Sequence, residues 1–365
     1  NYNKGRKMKT FSKFLIVFAV VFITSTNIFA QEGNKINSKY DFIPSEKVIF
    51  FDDFTSENVG DFPVQWNTNA SGEIVTTSDF PGNWFQLTKG GYFIPEAQEK
   101  FTDNFTIEFD FLPITNYTSE YMVSLDFFLI SGTLSNPNEG GAIPGNAGIK
   151  ITTSYDEILW VNYSEKDEGY KDQGKSSFAF KTGEKYHVAF WVQKQRVRMY
   201  ANETKVLDLP RGIRADYNYN LFRIQTTDEI SPLISDFRIA AGLPDMRNKL
   251  ITEGKLISYG ITFDVNSDKI KSESFATIKE IAQVLKDNPT VKIKVVGHTD
   301  SDGDDKSNLD LSKRRAASVK NSLVKDFSID ETRIETDGKG ESEPIAKNDS
   351  GVNKAKNRRV EFIKL

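Results

Sequence analysis

Two polar clusters in the last third of the chain have residue types and spacing that suit recognition of a charged ligand. Val296-Gly297-His298-Thr299-Asp300 closes an apolar alternating run and leaves a carboxylate at its end. Fifteen residues after Asp300, Leu311-Ser312-Lys313-Arg314-Arg315-Ala316 places a guanidinium next to an apolar helical stripe. Ser312 reads as a helix N-cap, which predicts Arg315 in the first helical turn, pointing along the stripe that continues through Val319 and Leu323. A cation there opposes the helix dipole. An inward arginine in that position needs an anionic partner, either an internal carboxylate or a ligand carboxylate held bidentately.

Other chemistries for the same stretch fit less well. Asp300-Ser301-Asp302-Gly303-Asp304-Asp305 has the oxygen density of a calcium loop but lacks a closing glutamate at EF-hand spacing, so a solvated acidic loop is the default. His298 reads as a packed strand-end residue rather than a catalyst, and Lys313-Arg314 and Lys354-Ala355-Lys356 as a solvated basic rim. Upstream, Thr106-Ile107-Glu108-Phe109-Asp110-Phe111 sets Glu108 and Asp110 on one face of a strand. Glycosidases of the laminarinase type extend such a pair with a second glutamate two or three residues on, where this chain has Pro113 and Ile114, so the carboxyl pair that retaining hydrolysis needs is incomplete. A solvent-facing strand edge is therefore expected, and Trp66, Trp84 and Trp160 are expected in cores rather than under sugar rings.

The elements that carry these residues follow from periodicity. From Lys47 to Ala240 short β-runs alternate with turns: Val48–Phe51, Thr106–Phe111, Tyr121–Ile130, Gly148–Thr152, Ile158–Tyr163, Ser177–Phe180, His187–Val192, Val197–Ala201 and Phe237–Ile239. An all-β sandwich over residues 47–241 is predicted, with 242–254 a linker. Beyond it, Ile257, Tyr259, Ile261, Phe263 and Val265 alternate as a strand face. Phe275, Ile278, Ile281, Ala282 and Leu285 recur at helical spacing up to Pro289. Val291, Ile293 and Val295 predict a strand, Ser312 onward a helix, and Ile334–Asp337 and Arg359–Leu365 two more strands. This is an α/β (α+β) domain over residues 255–365.

Composition narrows the function classes. With no cysteine, disulfides, thiolate chemistry and a lipid-modified cysteine are all excluded. Two histidines cannot build a multi-histidine metal centre, and no cofactor is called for. A net charge of −4 argues against a nucleic-acid partner. Lys4, Arg6, Lys7 and Lys9, the apolar run Phe14–Ile23 and Ala30 before Gln31 read as an export signal over residues 1–30. Met8 is taken as the start, with 1–7 an upstream extension, and 31–46 as a polar, flexible lead-in.

Several motifs occur in one order: Ile261-Thr262-Phe263-Asp264-Val265-Asn266-Ser267, Gly297-His298-Thr299-Asp300, Leu311-Ser312-x-x-Arg315-Ala316, Gly338-x-Gly340-Glu341-x-x-Pro344-Ile345 and Asn357-Arg358-Arg359-Val360. Together they resemble the OmpA C-terminal-like, peptidoglycan-associated family across residues 255–365. The resemblance implies a periplasmic, non-catalytic domain that binds the diaminopimelate of the peptidoglycan stem peptide, in a protein associated with the outer membrane and wall of a Gram-negative bacterium. By motif position, Asp300 would take the ammonium and Arg315 the carboxylate. Asn266, Asn308 and Arg358 match positions lining the pocket, and Asp264 a position orienting it. Residues 47–240 are similar in texture to the laminin-G, concanavalin-like sandwich, through His187–Leu207, Ile234–Ala240 and Asp53-Phe54. That implies a glycan or envelope protein as its partner. The alternatives for this half are an eight-stranded outer-membrane barrel, whose strands would have to be longer, and a glycan hydrolase.

Overall fold

The computed structural model describes residues 40–97, 99–114, 120, 124–136, 144–166, 172–243 and 245–365. The expected export signal and its upstream extension lie outside the described residues.

Residues 47–241 fold into strands β1 (Lys47–Asp52), β2 (Trp66–Thr68), β3 (Gly72–Thr76), β4 (Asn83–Leu87), β5 (Tyr92–Pro95), β6 (Asn104–Leu112), β7 (Asp126–Ser131) and β8 (Ala147–Thr153). They continue with β9 (Ile158–Ser164), β10 (Gln173–Ser176), β11 (Tyr186–Gln193), β12 (Arg196–Ala201), β13 (Thr204–Leu209), β14 (Leu221–Gln225) and β15 (Leu233–Ala241). One sheet runs β13-β12-β11-β6-β15-β4-β3 with β1 also on β15; the other runs β10-β9-β8-β7-β14-β5-β2. Every strand pairing in both is antiparallel. Two open sheets face each other, so the predicted sandwich holds and the barrel alternative does not. The expected strand at Ser177–Phe180 is instead irregular chain with Phe180 buried.

Alternation builds the core. Phe105, Ile107, Phe109 and Phe111 of β6 point inward, and Phe109 stacks on Phe237 of β15 at 5.3 Å. Each buried phenylalanine contributes roughly 1.5–3 kcal/mol of transfer free energy. Trp66 and Trp84 are buried, their indole N–H groups donating to Asp52 Oδ2 and Phe80 O, and Trp160 packs partly buried against the core.

The second half comprises β16 (Lys255–Ser258), α1 (Phe275–Asp287), β17 (Ile293–His298), α2 (Asp305–Lys325), β18 (Ile334–Gly340), α3 (Gly351–Asn357) and β19 (Val360–Lys364). The sheet order is β16-β19-β17-β18, with β17 and β18 parallel. Ile278, Ile281, Ala282 and Leu285 of α1 and Ala316, Val319 and Leu323 of α2 share one core with Ile293, Val295 and Phe362. No helix among the described residues is long and apolar enough to cross a membrane.

Five further expectations need correction. The strand face predicted from Ile257 to Val265 ends at Ser258, because the chain then turns back through the Phe263–Ile270 bridge and leaves Val265 exposed. Residues 242–254 are no bare linker: Asn248–Thr252 is helical, and Met246 and Leu250 are buried in the second core. The 40–46 part of the lead-in is packed: Phe42 lies on Trp191 and Tyr200, while Ile43 packs against the second core. Ser312 does not cap a helix. Asp304 does, accepting from the backbone N–H of Lys306 and Ser307, so Arg315 lies three turns in and no dipole clash arises. Finally, Glu108 and Asp110 are buried rather than solvent-facing. Lys271 from the second half crosses to within 3.7 Å of Asp110.

Candidate functional site

The loop after β17 is where the sheet delivers Asp300. Two glycines set its surroundings. A Cβ on Gly297 would lie 2.2 Å from Ser312 O, and one on Gly338 2.3 Å from Lys313 N. Only glycine lets α2 come this close to β17 and β18. Ser312 is then fully buried, its hydroxyl donating to Leu309 O and accepting from the Gly340 N–H. That crossing fixes the rotation of α2 and hence the direction of Arg315.

Asn308, one turn into α2, holds the loop. Its Nδ2 donates to Asp302 O at 3.0 Å, Asp300 O at 3.4 Å and Glu341 Oε2 at 2.6 Å. Asn308 is buried and ties the loop backbone rather than presenting a free amide. Asp300 Oδ1 accepts from the Asp302 N–H at 3.1 Å, and its Oδ2 accepts a charge-assisted hydrogen bond from Arg358 Nη1. The Asp300 side chain is 9% exposed. Asp302 pairs with Lys354 of α3 at 2.8 Å and Asp304 caps α2, so these acids of the loop have other partners. Lys354 is thus an ion-pair partner rather than a free rim, and Ala355 beside it packs on Val48 and Phe51.

Arg315 is half-buried. Its Nε donates to Ser267 O at 2.9 Å, and its guanidinium lies 4.9 Å from the centre of the Phe263 ring. Among the described residues no carboxylate lies within ion-pair distance of it. Burial and the neighbouring Arg358 push its pKa down to about 10, with Asp300 acting in the opposite direction. It stays cationic at neutral pH, yet its surroundings would favour an added anion. Arg358 shows the opposite balance: burial is outweighed by Asp53 and Asp300, which raise its pKa.

Of the predicted residues, Asp300, Asn308, Arg315 and Arg358 come together. Asn266 reaches the site only through its loop: it is exposed, with φ +53°, and precedes the Ser267 carbonyl that holds Arg315. Asp264 is turned to Lys269 at 3.2 Å. Asp53, Phe51, Phe263 and Glu341 were not singled out as site residues. Glu341 stands inside the Gly338-x-Gly340-Glu341 motif, and the Asp304-Asp305 pair is itself an N-cap signal. The Asp53 contact has no local signal, since it spans the two halves. His298 is buried with Nε2 3.6 Å from Glu361 Oε2; burial opposes the Glu361 charge, but His298, Lys255 and Arg359 hold its pKa down at about 2.

The Glu108/Asp110 pair belongs to a different cluster, on the outer face of β6. Arg238 Nη1 donates to Glu108 Oε1 at 2.6 Å, and Lys185 Nζ lies 2.8 Å from Asp110 Oδ2. His187 sits between the two acids, with Nδ1 3.1 Å from Asp110 and Nε2 3.5 Å from Glu108. Burial disfavours the imidazolium, but the two carboxylates prevail and raise its pKa to about 10.

Comparison with known proteins places the second half. The family described as OmpA family matches residues 262–358. The chain is 39% identical over 111 residues to outer membrane porin F of Pseudomonas aeruginosa, covering 30% of this chain and 32% of that protein. It is 42% identical over 102 residues to the probable lipoprotein YiaD of Escherichia coli, covering 28% of this chain and 46% of that protein. A solved periplasmic domain of Helicobacter pylori MotB is 31% identical, covering 30% of this chain and 70% of that one, with a TM-score of 0.28. The chain thus spans about a third to a half of the length of these curated relatives. With the motifs in register and the glycine-dependent helix crossing behind Asp300, residues 262–358 of this chain are an OmpA-family domain.

Proposed function

We propose that the OmpA-family domain binds peptidoglycan non-covalently through diaminopimelate, with Asp300 taking the ammonium of its free end and Arg315 the carboxylate. The observation that carries this is the state of Arg315. Asp300 is taken by Arg358 instead, and among the described residues the half-buried guanidinium of Arg315 keeps a carbonyl and a ring but no carboxylate. A ligand carboxylate would complete it with charge-assisted bonds. Asp300 lies in the same cluster and supplies the acid that a zwitterion requires.

Co-sedimentation with diaminopimelate-type peptidoglycan, competed by free diaminopimelate, tests the reading. Arg315→Ala removes contacts worth on the order of 1.5–3 kcal/mol, roughly a ten- to hundredfold loss of affinity. Because no carboxylate among the described residues pairs with Arg315, its loss strands no internal charge there and the domain stays folded. Wild-type affinity in Arg315→Ala would sink the assignment.

On this reading the chain is a non-catalytic, exported envelope protein that ties a sandwich to the wall. The two antiparallel sheets support a concanavalin-like sandwich, whose partner is a glycan or another envelope protein. The neutralisation of Glu108 and Asp110 by four cations supports a structural rather than hydrolytic role for that pair.

A further inference from the structure

The sandwich reaches into the candidate peptidoglycan site. β1 ends beside α3: Gly351 sits under the Phe51 carbonyl, and Val48, Phe51, Ala355 and Val352 share a small apolar cluster. From that contact Asp53 extends its Oδ2 to 3.1 Å from Arg358 Nη2, while the Phe51 ring lies 4.8 Å from the same guanidinium. Arg358 is therefore shared. Nη1 serves Asp300 of the OmpA-family domain, and Nη2 faces Asp53 of the sandwich. The two contacts differ in kind. The contact to Asp300 is a charge-assisted hydrogen bond, whereas the approach to Asp53 brings the charges together without hydrogen-bond alignment, leaving Nη2 without a formal acceptor.

This arrangement matters because Asp300 is already occupied. A ligand ammonium can reach a carboxylate that is 9% exposed only by displacing or sharing Arg358. A displaced guanidinium that kept no partner would be a half-buried, uncompensated charge, which is costly. Asp53 removes that cost: Arg358 can give up Asp300 and remain paired. Phe51 keeps its planar group in place through the exchange.

Resting on the diaminopimelate reading above, we propose that Asp53 of the sandwich is a positioning residue of the peptidoglycan site, acting as the alternative partner that frees Asp300 from Arg358 when a ligand ammonium arrives. The sandwich and the OmpA-family domain then bind the wall as one unit, and the sandwich sets the affinity of the anchor.

The test uses the full chain, with a soluble diaminopimelate-containing muropeptide as probe and isothermal titration calorimetry as readout. Asp53→Asn removes the charge but keeps the Oδ1 acceptor that serves the Thr55 N–H and hydroxyl. It should weaken binding about tenfold, the scale of one hydrogen bond to a charged group. Asp53→Glu restores the carboxylate and should bind within about threefold of wild type, the spread expected for one such contact. In an Arg358→Ala background, Asp53→Asn should change affinity no further, whatever Arg358→Ala does alone. A merely structural Asp53 would instead lower the unfolding midpoint and reduce affinity equally in both backgrounds, and that result overturns the proposal. So does an Asp53→Asn variant that binds like wild type while Arg315→Ala does not bind; there the diaminopimelate reading survives and only the role of Asp53 fails. Absence of binding by the wild-type chain overturns both.

Discussion

Replacing His187 by Gln should cost stability in a way that depends on pH. The imidazolium is held between Asp110 at 3.1 Å and Glu108 at 3.5 Å, and its pKa rises from 6.5 to about 10 in the folded chain. For a base whose folded pKa is raised, the stabilisation is fully present below the unfolded value and is lost as pH climbs through the folded one. Here that window runs from 6.5 to about 10. At about 1.4 kcal/mol per pH unit, the ceiling is about 5 kcal/mol below pH 6.5 and about 4 at pH 7. The observed cost should fall below this ceiling. Asp110 keeps Lys185 at 2.8 Å and Lys271 at 3.7 Å, and Glu108 keeps Arg238 at 2.6 Å, so neither acid is stranded. A cost of about 2–4 kcal/mol at pH 6.5 follows. Urea unfolding followed by tryptophan fluorescence suits the measurement, since Trp191 lies on the same strand. Taking the difference between wild type and His187→Gln at each pH cancels the other titrating groups. That difference should shrink steadily from pH 6.5 to 9.5. A difference that stays constant across the range would mean that His187 is neutral in the fold, and the charge argument would be refuted.

Phe42→Ala should destabilise the chain by about 3–5 kcal/mol, because the ring is buried between Trp191 and Tyr200; a loss below about 1 kcal/mol in urea unfolding would return residues 40–46 to a passive lead-in. Gly297→Ala should push α2 off the sheet at a cost of about 1–3 kcal/mol, read as a lowered thermal midpoint, since the new Cβ would meet Ser312 O at 2.2 Å. An unchanged midpoint would show that the crossing is looser than its geometry.

What the sequence determined by itself is local or repetitive. Alternation in Thr106–Phe111 set the two faces of β6, and helical spacing set the buried face of α1 from Ile278 to Leu285 up to Pro289, although Phe275, which the same spacing included, is exposed. These patterns are legible because a strand or helix exposes its period in the order of its residues. The motif register also placed Asp300 at the end of β17, and Arg315 and Arg358 near it. The N-cap reading of Ser312 misplaced the start of α2, because that buried serine resembles a cap although Asp304 makes the capping bonds. Only the tertiary structure decided the pairings. Asp300 takes Arg358 rather than Arg315; Asp53 shares that arginine from the other half of the chain; Lys271 meets Asp110 across the same divide. Glu108 and Asp110 alternate outward as their sequence requires, yet outward here means into a covered face. Periodicity specifies which side of a strand a carboxylate leaves by; what waits there depends on chain brought back from distant parts of the sequence, 77 residues away for His187 and 130 for Arg238, and ion pairing is fixed by that return and not by spacing.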